Sequence, residues 1–183
     1  AALTASGACK DQRELEALVV GDPMADDTKI GPLARPDLRA TLHRQVQQMV
    51  SDGAECLLGG HIPEGPGNFY PPTLLVDVPL DSAAAREETF GPVATVLRVH
   101  DVEEAVTVAN DTTFGLGASL WTVDPAVIEA VVPRLAAGSV FVNGLVKSDP
   151  RLPFGGIKAS GVGRELGAEG ALAFVNAKTV WVA

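Results

Sequence analysis

VATVLRVHDVEEAVTVANDTTFGLGASLWTVDPAVIEAVVPRLAAGSVFVN, residues 93–143, is the stretch whose reading decides the fold. VATVLRV is rich in β-branched residues and predicts a strand. Asp101 then stands as an N-cap with Glu104 three positions on, the pattern of a capping box, so a helix follows. GASLWTV predicts the next strand. Asp124-Pro125 opens a second helix whose apolar face is Val127, Ile128, Val131, Val132 and Leu135; Gly138 closes it, and SVFVN returns to a strand. The order is β-α-β-α-β. Strands alternating with short amphipathic helices imply right-handed crossovers, and hence an α/β fold with a mainly parallel sheet covered by helices. In such sheets ligands sit beyond the carboxyl ends of the strands, which makes the loop at residues 144–156 the first place to look for a site.

Working outward, residues 36–52 show helical spacing at Leu38, Leu42, Val46, Met49 and Val50, with Pro36 and Asp37 suited to a first turn and Gly53 as the stop. AECLLGG reads as a short strand into a turn, and HIPEGPGNFYPP as a loop. DQRELEALVV reads as the last turns of a helix that stops at Gly21-Asp22-Pro23. A helix is expected around residues 165–174, and AKTVWVA is a final β-rich segment.

The chain has 183 residues, 46% of them hydrophobic, enough for a core without disulfides or metal. Its net charge of -9 would repel phosphate backbones and anionic lipid, so nucleic acid and membrane surfaces are poor partners. No run approaches the ~18 apolar residues of a membrane span, and AALTASGACK has neither a basic nor a long apolar region of a signal peptide. Two cysteines are too few for a secreted disulfide framework, so a cytoplasmic protein is expected.

Three runs can carry chemistry. EETFGP, residues 87–92, sets two carboxylates and an aromatic before a Gly-Pro kink. A carboxylate there can accept both hydroxyls of a ribose while the aromatic packs on a flat ring; equally, the run can be a solvated turn with one core Phe. PFGGIKASGVGRELG, residues 153–167, has five glycines, which suits positive φ or close backbone approach. Its spacing does not fit G-x-G-x-x-G, and no strand immediately precedes it, so a turn beside a pocket is the better reading. Lys147, Ser148 and Arg151 could together hold a carboxylate, or form an ordinary polar loop. His43, His61 and His100 have no ligand spacing, so no metal site is expected. Asn110-Asp111-Thr112 matches a glycosylation acceptor only by pattern. Cys9 lies in a featureless stretch, and Cys56 sits in an apolar strand where an inert packed thiol belongs.

EETFGPV and PFGGIKASGVGRELG, in this order, closely resemble two signatures of the NAD(P)-dependent aldehyde dehydrogenase superfamily. VGDPMADDTKIGPLAR, YPPTLL, ANDTTFGLGASLWT, SVFVNG and KTVWV fall in the same register, so the resemblance covers nearly all of the chain from Val20 onward. SDPRLPFGGIKASGVGRELG followed by FVNAKTVWV looks most like the bacterial succinate-semialdehyde dehydrogenase branch. The resemblance implies that Glu88 binds the nicotinamide-side ribose of NAD or NADP, with Phe90 beside that sugar and ring. It implies that Ser148 helps bind a substrate carboxylate and that Phe154 lies near the pocket of a small aldehyde. It also implies a partial catalytic domain at residues 1–163 and, at residues 164–183, a C-terminal helix and an oligomerisation strand that joins a neighbouring subunit, making a homo-oligomer.

The resemblance also has gaps. The family's cysteine stands in a G-Q-x-C context well upstream of the GDP motif, whereas Cys9 lies twelve positions before Gly21 without that context, so no catalytic residue is assigned. The general-base glutamate and the cofactor domain belong upstream as well. The expectation is a truncated chain without turnover of its own, since covalent catalysis needs its attacking atom. Two other readings stand beside it: a non-catalytic assembly module and a broad aliphatic aldehyde dehydrogenase.

Overall fold

The computed structural model describes residues 12–82 and 86–183, in two compact units that divide between His100 and Asp101.

The first unit is built on helix α1 (Pro36–Ser51), which has Pro36 in its first turn and buries Leu42, Gln45, Val46 and Met49 on one face. Spacings of three and four put these side chains on a single stripe. Gly53, at φ 120°, turns the chain out of the helix in a conformation that a side chain resists. Strands β1 (Glu55–Leu58), β2 (Thr73–Val76) and β3 (Val93–Thr95) form a sheet in that order. β1 runs antiparallel to β2, with an irregularity between Cys56 and Leu58, and β3 runs parallel to β2. Every residue of β2 is buried, as befits a central strand covered on both faces. The core joins Leu42, Val46 and Met49 to Ala54, Tyr70, Leu75 and Val78. Thr73 pins the preceding loop: its hydroxyl donates to the Pro71 carbonyl at 3.0 Å and accepts the Gly60 N–H at 2.9 Å.

Tyr70 is 1% exposed, and its hydroxyl lies 3.1 Å from His43 Nδ1. Burial, helped by negative charge at Cys56, pushes its phenol up to about 12. A pKa raised in the folded state contributes stability that is complete below the ordinary value of about 10 and lost as pH rises through the folded value. Tyr70 is the only tyrosine, so near-ultraviolet tyrosinate absorption reads this site alone. The band should rise near pH 12, together with loss of circular dichroism; a midpoint near 10 with the fold intact would refute the buried phenol.

In the second unit, helix α2 (Val102–Asn110) starts at Asp101, whose side chain accepts the Glu104 N–H at 2.8 Å. Strands β4 (Phe114–Gly115) and β5 (Gly117–Leu120) lead to helix α3 (Pro125–Val131), capped by Asp124 and extended by one 3-10 turn (Val132–Arg134). β6 (Ser139–Val142) then lies parallel to β5. β7 (Ile157–Lys158) pairs antiparallel with β4, and helix α4 (Gly167–Leu172) follows.

The capped helices and the β5-α3-β6 crossover match the sequence reading. The described strands form three small sheets, with two parallel and two antiparallel pairings. The loop between β1 and β2 lets the chain double back instead of crossing over, and β4 and β7 are short clips. Residues 12–16 are helical, but the helix stops before Gly21, because Val20 is drawn into a bridge with Ile30. Cys56 is exposed, not packed, since β1 lies at the edge of its sheet. Cys9 lies outside the described residues. Residues 173–183 are exposed and hold no strand pairing.

Candidate functional site

Each unit presents one group of the residues picked out in the sequence. In the first, the turn before β3 is held by a buried residue, Gln45 on α1. Its Nε2 donates to Glu87 Oε2 at 2.8 Å and to the Glu88 carbonyl at 3.2 Å. Gly91 lies so close against Leu42 that a Cβ would collide with the leucine side chain. Both contacts press the turn's backbone onto α1 and leave the side chains of Glu88 and Phe90 outside. Glu88 is exposed, and Phe90 is 65% exposed, so Phe90 is no core residue. A carboxylate and an open aromatic face on a fixed turn suit a sugar and a flat ring. Gln45 escaped the sequence reading, although its place on the stripe between Leu42 and Val46 was the signal.

In the second unit, the loop after β6 is aimed by Asn143. This residue sits at φ 52°, tolerable for Asn, and its side-chain amide pairs with both backbone groups of Thr122: Oδ1 accepts the N–H at 3.0 Å and Nδ2 donates to the carbonyl at 2.9 Å. The amide thus extends the parallel ladder beyond β5 and β6. Beyond it the chain passes Lys147, Ser148 and Asp149 and returns at Pro153 and Phe154. A cavity of about 370 Å³ lies between the strand and this return, walled by β6, Lys147, Asp149, Leu152, Pro153 and Phe154. Phe154 is half-buried there, held by reciprocal backbone hydrogen bonds with Glu165 at 2.7 and 2.8 Å. Ser148, between the two charged wall residues, is exposed.

Arg151 is committed elsewhere than the sequence suggested. Its Nε and Nη2 donate to the two oxygens of Asp149 at 2.9 and 2.6 Å, and its backbone N–H donates to Oδ1 at 2.9 Å. These bonds, side chain first and backbone second, hold the Asp149 carboxyl down at about 2 against desolvation.

The glycine-rich run packs against the residue that precedes β6. Lys158, at φ 54°, donates from Nζ to the carbonyls of Asn110 and Thr112 at 2.9 and 3.1 Å, fastening the turn to the end of α2. Gly138 lies so close to the backbone of Gly155 that no side chain fits between them. Among the described residues no group of His, Cys, Asp and Glu could hold a metal ion, and no helix is long and apolar enough to cross a membrane.

Comparison with known proteins decides the family, for the family model described as "Aldehyde dehydrogenase family" matches residues 10–180. The chain belongs to the aldehyde dehydrogenase family. It is 54% identical over 93% of its length to a Synechocystis protein named "Probable succinate-semialdehyde dehydrogenase" with NADP(+), of which it covers 38%. It is 48% identical over 92% of its length to succinate-semialdehyde dehydrogenase 1, also named with NADP(+), of Mycobacterium tuberculosis, of which it covers 37%. Among solved structures, succinic semialdehyde dehydrogenase from Streptococcus pyogenes in complex with NADP+ aligns with a TM-score of 0.87 at 35% identity, covering 93% of this chain and 37% of that one. Lactaldehyde dehydrogenase from Escherichia coli aligns with a TM-score of 0.93 at 30% identity, covering 97% and 37%. This aldehyde dehydrogenase chain thus spans a little over a third of the length of the curated relatives it matches.

Proposed function

We propose that this chain is the C-terminal portion of a cytoplasmic aldehyde dehydrogenase that oxidises succinate semialdehyde to the acid with NADP or NAD. The observation that carries the reading is the cavity beside β6, where Lys147 and Phe154 face the same space and Ser148 lies between Lys147 and Asp149. A cation and a hydroxyl suit a carboxylate, and an aromatic suits the aliphatic part of a small aldehyde. The names of the relatives in Synechocystis and Mycobacterium tuberculosis support the same substrate and favour NADP.

The exposed turn at Glu88 and Phe90 fits the nicotinamide-side ribose, with the carboxylate accepting sugar hydroxyls. The bound cofactor supplies the hydride acceptor of such an oxidation; the residues of this turn bind and orient it. No residue of this chain is assigned as the attacking thiolate or the general base. The finer organisation, a catalytic portion at residues 1–163 and at 164–183 a helix and a strand that joins a sheet in a second subunit, belongs to the same proposal. A mainly parallel sheet in the assembled enzyme is part of it too.

Replacing Glu88 with glutamine in the full-length protein tests the cofactor role. Losing a charged acceptor for sugar hydroxyls is expected to lower kcat/KM for the nucleotide about tenfold or more, with a slower hydride step in single turnovers. Unchanged kinetics would remove Glu88 from the cofactor site.

A further inference from the structure

The wall of the cavity beside β6 contains one carboxylate, Asp149, and one cation, Lys147. An uncompensated carboxylate on that wall would repel the carboxylate of a substrate. The Asp149 side chain is 24% exposed, whereas that of Arg151, which is not among the wall residues, is 84% exposed. The arginine therefore lies on the solvent side of the pair and satisfies both carboxylate oxygens from there.

Resting on the proposed substrate, we infer that Arg151 is a specificity-determining residue that acts through Asp149. It cancels the negative charge on the cavity wall and leaves Lys147 as the charge a substrate carboxylate meets. The geometry supports charge cancellation over direct contact. The Nε and Nη2 fork of the guanidinium is committed to Asp149, which places its charge on that carboxylate, and the backbone bond from Arg151 N–H to Asp149 Oδ1 fixes both residues in one turn. The turn is further tied by the Leu152 N–H on the Asp149 carbonyl at 3.0 Å and the Gly167 N–H on the Pro150 carbonyl at 3.1 Å. These backbone bonds do not need the arginine side chain, so the charge can be removed while the loop keeps its path.

The test compares two aldehydes of equal chain length, succinate semialdehyde and butanal, in the full-length protein and three variants. Arg151→Gln leaves Asp149 bare and is expected to raise KM for succinate semialdehyde about tenfold, with kcat and the butanal KM held within about twofold. The rise should shrink in high salt, as a screened charge effect does. Asp149→Asn combined with Arg151→Gln removes both charges and is expected to bring KM back towards that of the parent, while Arg151→Lys, which keeps the charge without the fork, should fall between. An equal loss on both aldehydes, or a double variant worse than the single one, would make the pair a structural clip and overturn the inference. A parent enzyme preferring succinate semialdehyde whose preference Arg151→Gln leaves intact would overturn the inference alone. A parent enzyme that takes butanal equally well would overturn the substrate reading along with it.

Discussion

Replacing Gly138 with alanine is expected to lower the stability of the chain by about 1–3 kcal/mol, the usual range for forcing atoms into a packed site, and to reduce turnover in the full-length protein. The new Cβ would meet the carbonyl of Gly155, with the rest of that peptide and Gly156 behind it. These are backbone atoms, so relief requires the segment after Phe154 to move. That segment is itself confined, for a Cβ at Gly155 would meet Gly163 and Arg164, and one at Gly156 would meet Ser160. The strain therefore passes to Phe154 and to the cavity. Gly91→Ala is the matched control: the atoms nearest its Cβ would belong to the side chain of Leu42, which can yield more than a backbone carbonyl, so a smaller loss is expected. Urea denaturation followed by circular dichroism measures both, and equal midpoints for parent and Gly138→Ala would refute the close packing of Gly138 on Gly155.

Leu75→Ala should cost more, about 2–5 kcal/mol, the range for truncating a buried leucine. Leu75 is 0% exposed at the centre of β2; its backbone pairs with Cys56 on one side and Thr95 on the other, and its carbonyl accepts the Val96 N–H at 2.8 Å. No neighbour can fill the gap without dragging the sheet. Small domains are stable by about 5–15 kcal/mol, so such a loss consumes a large part of the margin. In the variant, Tyr70 should begin to ionise below the native midpoint near 12, because opening of the core admits water to its hydroxyl. Val123→Ala, at a residue 98% exposed, should leave both readouts where they were.

The parts of the fold legible in the sequence were those set by neighbouring residues. Asp101, Asp124 and Pro36 announce helix starts because capping and the proline ring act within one turn. The β5-α3-β6 unit followed from alternation of strand and helix patterns. The division into three small sheets did not, because pairing of β4 with β7 joins residues more than forty positions apart by only two residues each. Cys56 was misread because an apolar run does not distinguish a central strand from an edge strand with a bulge. Of the candidate site residues, Phe90 was legible as an aromatic before a Gly-Pro kink and Phe154 only through the family resemblance. The partners of Gln45 and Arg151 were not, since a glutamine on a helix reads as solvated and an arginine beside Lys147 and Ser148 reads as a ligand for a carboxylate until Asp149 is placed against it. The spacing of Asp149 and Arg151, two residues apart across a proline, is a local turn pattern that could have exposed the pair.

Lys158 has a consequence outside catalysis. A protease that cuts after lysine must draw the extended side chain into its own specificity pocket. Here the amine is already held by two carbonyls at the end of α2, and the residue's backbone is left-handed, unlike the extended form a protease grips. The peptide bond after Lys158 is therefore shielded while the turn stays fastened, despite its exposed position, and a nick there would mark molecules in which that fastening has come undone.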